Sequence, residues 1–138
     1  MSSRSQVERT LIIMSEPLGQ ILSGRKTYEV RSRPTRLVGR RIALSEKGKN
    51  LIVATCTLEE CLGPFTLKEV LGNAVRMGFK RSEILAERAW WRRECAKGRV
   101  YAWVLREVRR LRRPVKFQNP SGAVIWAQLP MRIMKTLR

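Results

Sequence analysis

The sequence predicts an α+β domain in which about six short strands form a small closed or partly open β-barrel, with one early helix and a mid-chain helical insert packed over it. Three observations predict this. Short apolar runs, several of them alternating, recur at strand length along the chain. The strand pattern stops at Leu62-Gly63-Pro64, gives way to helical spacing, and resumes at Val100. Strands and helices do not alternate regularly, which disfavours a parallel doubly wound sheet. The 138 residues, 43% of them hydrophobic, suffice for one domain with a substantial core and not for two.

Residues 1–9 read as a loose start, 10–130 as the domain and 131–138 as a basic tail. Thr10 to Met14 is a short buried strand. Ser15 is placed to cap a helix whose first turn carries Pro17 and whose inward face is Leu18, Ile21 and Leu22, and Gly24 closes it in the left-handed conformation of a C-cap. A strand then runs to Arg31. Along it Lys26, Tyr28 and Val30 alternate with Thr27, Glu29 and Arg31, so Glu29 and Arg31 share a face, while Lys26 emerges at the helix-to-strand corner where a side chain reaches into a cleft. Arg33-Pro34 enforces extended or turned backbone, and Gly39 opens a third strand, Arg40 to Leu44. Glu46 to Asn50 is a turn, and Leu51 to Glu59 a fourth strand rich in β-branched residues.

Thr66-Leu67-Lys68-Glu69 is a capping-box signature for a helix to about Val75. Ser82 opens another, with Ile84, Leu85, Ala89 and one of Trp90 or Trp91 inward and Arg88, Arg92 and Arg93 outward. Val100 to Val108 alternates as a strand, Arg109 to Arg113 reads as a basic turn, Phe117 to Gly122 as a loop, and Ala123 to Leu129 as the last strand.

Twenty-nine Lys and Arg against 11 Asp and Glu give a net charge of +18, far more than solubility requires, so a polyanion is the expected partner. No lysine-rich helix with a broad apolar face appears, which ranks a membrane surface below nucleic acid. The chain has no apolar run of roughly 18 residues and no hydrophobic leader near Met1. Cys56, Cys61 and Cys95 are odd in number and form no Cys-x-x-Cys pair; they read as reduced thiols of a cytoplasmic protein. With no histidine, His-based triads and histidine-bound zinc are excluded, and no cofactor or resident metal is expected.

Gly24, Lys26, Glu29 and Arg31 form the pattern Gly-x-Lys-x-x-Glu-x-Arg after a short helix, and this resembles the ASCH domain family, a branch of the PUA-like superfamily. Tyr101 to Leu105 and Pro120 to Trp126 are similar to the corresponding strands, so the likeness runs from about Leu11 to Leu129. The resemblance implies a PUA-like β-barrel with a cleft between the first helix and the barrel, lined by the motif residues. It implies RNA binding, transcriptional coactivation or RNA metabolism, with some relatives hydrolysing modified cytidines or RNA. In the amidohydrolase branch a threonine, its proposed nucleophile, stands where this chain has Glu29. Thr27 faces the other side of the strand and does not replace it.

Lys26 is the residue for phosphate binding or, with a lowered pKa, for base chemistry. Glu29 either accepts from a base's exocyclic amine, acts as a general base, or holds Arg31 and Lys26 in place. Arg31, Arg33, Arg36, Arg40 and Arg41 offer guanidinium forks to phosphates, and Arg109, Arg110, Arg112 and Arg113 form a second basic segment; the two either flank one mouth of the barrel or lie on a scattered solvated surface. Tyr101 is a candidate stacking platform, whereas Trp103 and Trp126 read as core. One of Trp90 and Trp91 is expected at the surface beside Arg92 and Arg93, since adjacent helical residues point about 100° apart. Ser121 offers the cleft a hydroxyl, although turn formation also accounts for it. The reading is a monomeric module binding nucleic acid, with single-stranded RNA the expected ligand. The alternative is a small hydrolase of RNA or an N4-acylated cytidine, with Lys26 and Glu29 as its acid–base pair and any metal recruited.

Overall fold

The computed structural model describes residues 6–137. In chain order the elements are β1 (Arg9–Ile13), α1 (Ser15–Leu22), β2 (Tyr28–Arg31), β3 (Arg40–Glu46), β4 (Leu51–Leu62), α2 (Leu67–Gly72), α3 (Arg81–Ala86), α4 (Arg88–Ala96), β5 (Tyr101–Lys116), β6 (Trp126–Gln128) and α5 (Met131–Thr136). The strands form one six-stranded sheet in the order β2-β5-β4-β3-β1-β6, with β1 parallel to β3 and the other pairs antiparallel.

The sheet curls into a half-barrel, and two contacts fix the curl. Arg31 on β2 donates to the carbonyl oxygen of Ile12 on β1 over 3.2 Å, although three strands separate them in the sheet order. Trp103 on β5 stacks on Trp126 on β6 with ring centroids 5.6 Å apart. Inside the curl, Leu11, Ile13, Ile42, Leu44, Leu58, Trp103 and Leu105 pack with Leu18 and Ile21 of α1. Behind β1 and β3, Ile12, Ala43 and Ala127 pack on Ile133 and Leu137. On the outside of β2 and β5, Val100 and Ala102 pack with Val70, Met77, Ile84 and Trp91 of the insert. Each fully buried Leu or Ile contributes about 1.5–3 kcal/mol by leaving water, so these three layers hold the curved sheet against its helices.

Several expectations are corrected. Met14, not Ser15, is the N-cap residue of α1, with no side-chain cap bond. Strand β2 starts at Tyr28 rather than at Lys26, because Lys26 N–H goes back to Gln20 O (3.1 Å) and Thr27 and Tyr28 N–H both go to Arg76 O (2.9 Å each). Helix breakage at Glu87 splits the helix expected from Ser82 into α3 and α4, leaving Leu85 and Ala89 exposed. Strand β5 runs on to Lys116, so Arg109 to Arg113 is strand rather than turn. A bulge at Glu107 (φ 51) resets the alternation, and beyond it Leu111 and Val115 turn toward the layer behind the sheet. The last strand shrinks to three residues. Met131 begins a helix where a tail was expected, anchored by buried Ile133. Residues 1–5 of the expected loose start, and Arg138, lie outside the described residues; Val7 is buried. Among the described residues no helix is long and apolar enough to cross a membrane.

Candidate functional site

The site begins at the corner between α1 and β2. Gly24, at φ +82, turns the chain out of α1, with its N–H on Ile21 O at 3.1 Å, and thereby aims Lys26 back under the helix. Lys26 and Glu29 are both buried, at 5% exposure. Lys26 Nζ donates to Met77 O at 2.7 Å and lies 3.5 Å from Glu29 Oε1. The other carboxylate oxygen, Oε2, accepts from Arg31 Nε at 2.9 Å and Nη2 at 2.7 Å. Arg31 also lies over the Trp103 ring, 5.7 Å from its centroid, and Trp103 Nε1 donates to Arg33 O at 3.0 Å. One carboxylate thus serves two cations, and the arginine is clamped between it, an indole face and Ile12 O.

Burial pushes the Lys26 pKa below the ordinary lysine value, and the like charge of Arg31 pushes the same way; the Coulomb attraction and hydrogen bond of Glu29 oppose them and are outweighed. The result is a lysine closer to titration than a surface one.

Lys26 forms part of the wall of a cleft of about 910 Å³ between α1 and the helical insert. Gln20, Arg25, Met77, Gly78, Phe79 and Lys80 line it too, as do the carboxylates Glu16 and Glu83. Gly78 has φ +86, and a Cβ there would come 2.4 Å from Gln20 Oε1 and 3.3 Å from Lys26 Cδ. The positive φ favours glycine here, and a Cβ would displace the end of the Gln20 side chain, whose Nε2 donates to Gly78 O at 3.2 Å. The cleft therefore lies between the first helix and the insert, not between the first helix and the barrel. Glu29 and Arg31 stand behind its lining rather than in it.

The remaining sequence-selected residues divide into tethered and free. Arg40 pairs with Glu8 at 3.1 Å. Arg41 is strapped across the sheet, donating to Thr57 Oγ1 (3.1 Å), Thr55 Oγ1 (2.8 Å) and Glu107 O (2.9 Å). Its side chain is 16% exposed, and this burial lowers its pKa below the ordinary arginine value. Arg33, Arg36, Arg109, Arg110 and Arg112 are exposed and, among the described residues, form no ion pair. The two basic segments meet where Arg41 reaches Glu107, since Arg109 faces Thr55 in the β4–β5 register. Tyr101, opposite Arg31 in the β2–β5 register, is half-buried against the inner core, and Ser121 is exposed in its loop. Trp103 is core, as read from the sequence, and Trp126 is its half-buried stacking partner. Sequence reasoning missed Gln20, Met77, Gly78 and Lys80 as cleft residues; the one available signal was Gly78, a glycine in the connection between α2 and α3.

The family model of the ASCH domain matches residues 11–114. Among solved structures, the fold is similar to that of ASCH from Zymomonas mobilis, with a TM-score of 0.66 at 19% identity, covering 94% of this chain and 92% of that one. It is equally similar to a serine-to-alanine mutant of that protein, with a TM-score of 0.66 at 19% identity over 99% of this chain and 96% of that one. A tyrosine-to-phenylalanine mutant gives a TM-score of 0.65 at 19% identity, covering 94% and 95%. A search of the curated proteins matched nothing. The half-barrel with its helices is the ASCH and PUA-like α+β fold, a fold linked at a coarse level to RNA binding, and the chain belongs to the ASCH domain family.

Proposed function

We propose that this protein is an RNA-binding module that holds a single-stranded segment on its basic face, with a nucleotide in the cleft between α1 and the insert. The observation that carries this reading is the division of the arginines. Part of the +18 charge is tethered inside the protein, while Arg33, Arg36, Arg109, Arg110 and Arg112 remain exposed without carboxylate partners among the described residues. Exposed guanidinium groups without carboxylate partners suit phosphates, which they bind in bidentate fashion. Arg25 and Lys80 extend this charge to the cleft. Lys26, Glu29 and Arg31 form its rigid backing: Lys26 is part of the cleft wall, and Glu29 holds both cations in register.

The hydrolase reading is favoured by one specific observation, a buried lysine in the cleft wall whose pKa burial lowers, with a carboxylate 3.5 Å from its Nζ. To act as an acid–base pair the two would have to exchange their present partners, Met77 O and Arg31, for substrate. Incubating the purified protein with single-stranded RNA and with acylated cytidines, with and without Mg²⁺ or Mn²⁺, separates the two. Binding without turnover supports the module. Turnover that disappears in Lys26→Ala and Glu29→Gln supports the enzyme.

A further inference from the structure

Trp90 is half-exposed on α4 of the insert, on the side of the helix that carries Arg93, and the cleft does not use it. Helix α4 carries Arg88, Arg92 and Arg93 outward, with exposed Ala89 and Ala96 between them. At helical spacing Trp90, Arg93 and Lys97 form one stripe, and side chains on a helix lean toward its N-terminus, which brings Arg93 over the Trp90 side. The nearby acids are Glu87, exposed at the helix start, and Glu94, half-buried and 4.0 Å from Arg99.

A single exposed tryptophan is ordinary on a protein surface. This one differs in how it is held. Its ring stands edge-to-face on buried Trp91, with centroids 5.0 Å apart and planes at 90°, and Trp91 stands edge-to-face on Phe79 at 5.7 Å. Phe79 lines the cleft. Trp90 is therefore the outer end of an aromatic row that begins in the cleft wall, its orientation fixed by a core residue and one side left open to solvent at 47% exposure.

We propose that Trp90 is a stacking platform for an unpaired base of a single-stranded nucleic acid leaving the cleft, with Arg93 and Lys97 on the flanking phosphates. The proposal rests on the RNA-binding reading above. A flat indole face takes any base, and adjacent cations neutralise the backbone, a combination that favours single strands over duplexes, whose bases are already stacked. A membrane would need a broad apolar face, and α4 offers one exposed indole among arginines.

The test compares wild type, Trp90→Ala and Trp90→Phe for binding a short labelled oligouridylate and an RNA duplex of the same length, with circular dichroism to confirm folding. Trp90→Ala should bind the single strand about five- to tenfold more weakly, the lower part of the range for loss of one stacked base, with duplex binding unchanged and Trp90→Phe retaining most of the affinity. Equal binding of the single strand by wild type and Trp90→Ala overturns the proposal and leaves the RNA-binding reading intact. An equal loss on both ligands overturns it too, as does Trp90-dependent binding of anionic phosphatidylserine vesicles without an effect on RNA. A wild-type protein that binds neither RNA overturns both readings.

Discussion

Arg31 and Ile12 lie on strands that are not neighbours, yet Arg31 Nη2 donates to Ile12 O over 3.2 Å while holding Glu29 Oε2 at 2.7 Å. A single guanidinium thus ties the curl of the sheet to the buried carboxylate that orders the site. Removing the guanidinium leaves Glu29, at 5% exposure, with Lys26 as its remaining cation. Arg31→Met should cost about 2–3 kcal/mol, below the full range for a broken buried pair because Arg31 is partly exposed. In urea denaturation the double variant with Glu29→Gln should lose at least about 1 kcal/mol less than the sum of the singles. Additive losses would show that the pair is screened rather than coupled.

The tethered and free arginines should behave as two groups. Arg41→Ala removes three hydrogen bonds across β3, β4 and β5 and should lower stability by about 1–3 kcal/mol. Arg33→Ala and Arg36→Ala should leave the thermal midpoint nearly unchanged. Each should instead weaken RNA binding and reduce the salt slope by about 0.7. Arg33 and Arg36 variants that unfold at lower temperature but bind normally would reverse this assignment.

Cys56 supplies a pH test of the inner core. Burial raises its thiol from 9.0 to about 12, so between those values the folded state keeps a proton that the unfolded state releases. Stability therefore falls as pH rises above the unfolded thiol's value, by up to about 1.4 kcal/mol per unit for this group. Lys26 runs the other way, since its lowered pKa means the unfolded state binds the extra proton, but it is common to wild type and Cys56→Ala. The stability difference between those two proteins should narrow from about pH 8.5 to pH 10.5. A difference that stays constant would place the thiol in contact with water.

Gly78 is the spacer between α1 and the insert. Gly78→Ala introduces a Cβ at φ +86 against Gln20 and should cost about 1–2 kcal/mol. Adding Gln20→Ala relieves the 2.4 Å contact but not the backbone conformation, so stability should recover only in part. Full recovery in chemical denaturation would show that the clash alone, and not φ, requires glycine.

The residues that were legible in the sequence are those set by local periodicity. Glu29 and Arg31 are two apart on a strand and share a face, Gly24 marks the corner, and the capping box at Thr66 and Glu69 forms as spelled, with Glu69 N donating to Thr66 Oγ1 at 3.2 Å. What stayed hidden depends on distant chain. The partner of Lys26 Nζ is a backbone carbonyl 51 residues away, and no side-chain pattern encodes which carbonyl a folded insert will present. Lys26 also left the strand register because Gln20 O and Arg76 O capture the backbone there, so alternation misplaced it on the face opposite Glu29. In β5 the bulge at Glu107 broke the period, and the arginine run beyond it resembled a turn although the spacing of Leu111 and Val115 was already that of a strand.

The central claim is that exposed guanidinium groups bind a nucleic-acid backbone, and the salt dependence of single-stranded RNA binding by the wild-type protein tests it most directly. Each phosphate neutralised should contribute about −0.7 to the slope of log K against log salt, so contacts from four or five arginines predict a slope of roughly −3. A slope near zero would contradict the account.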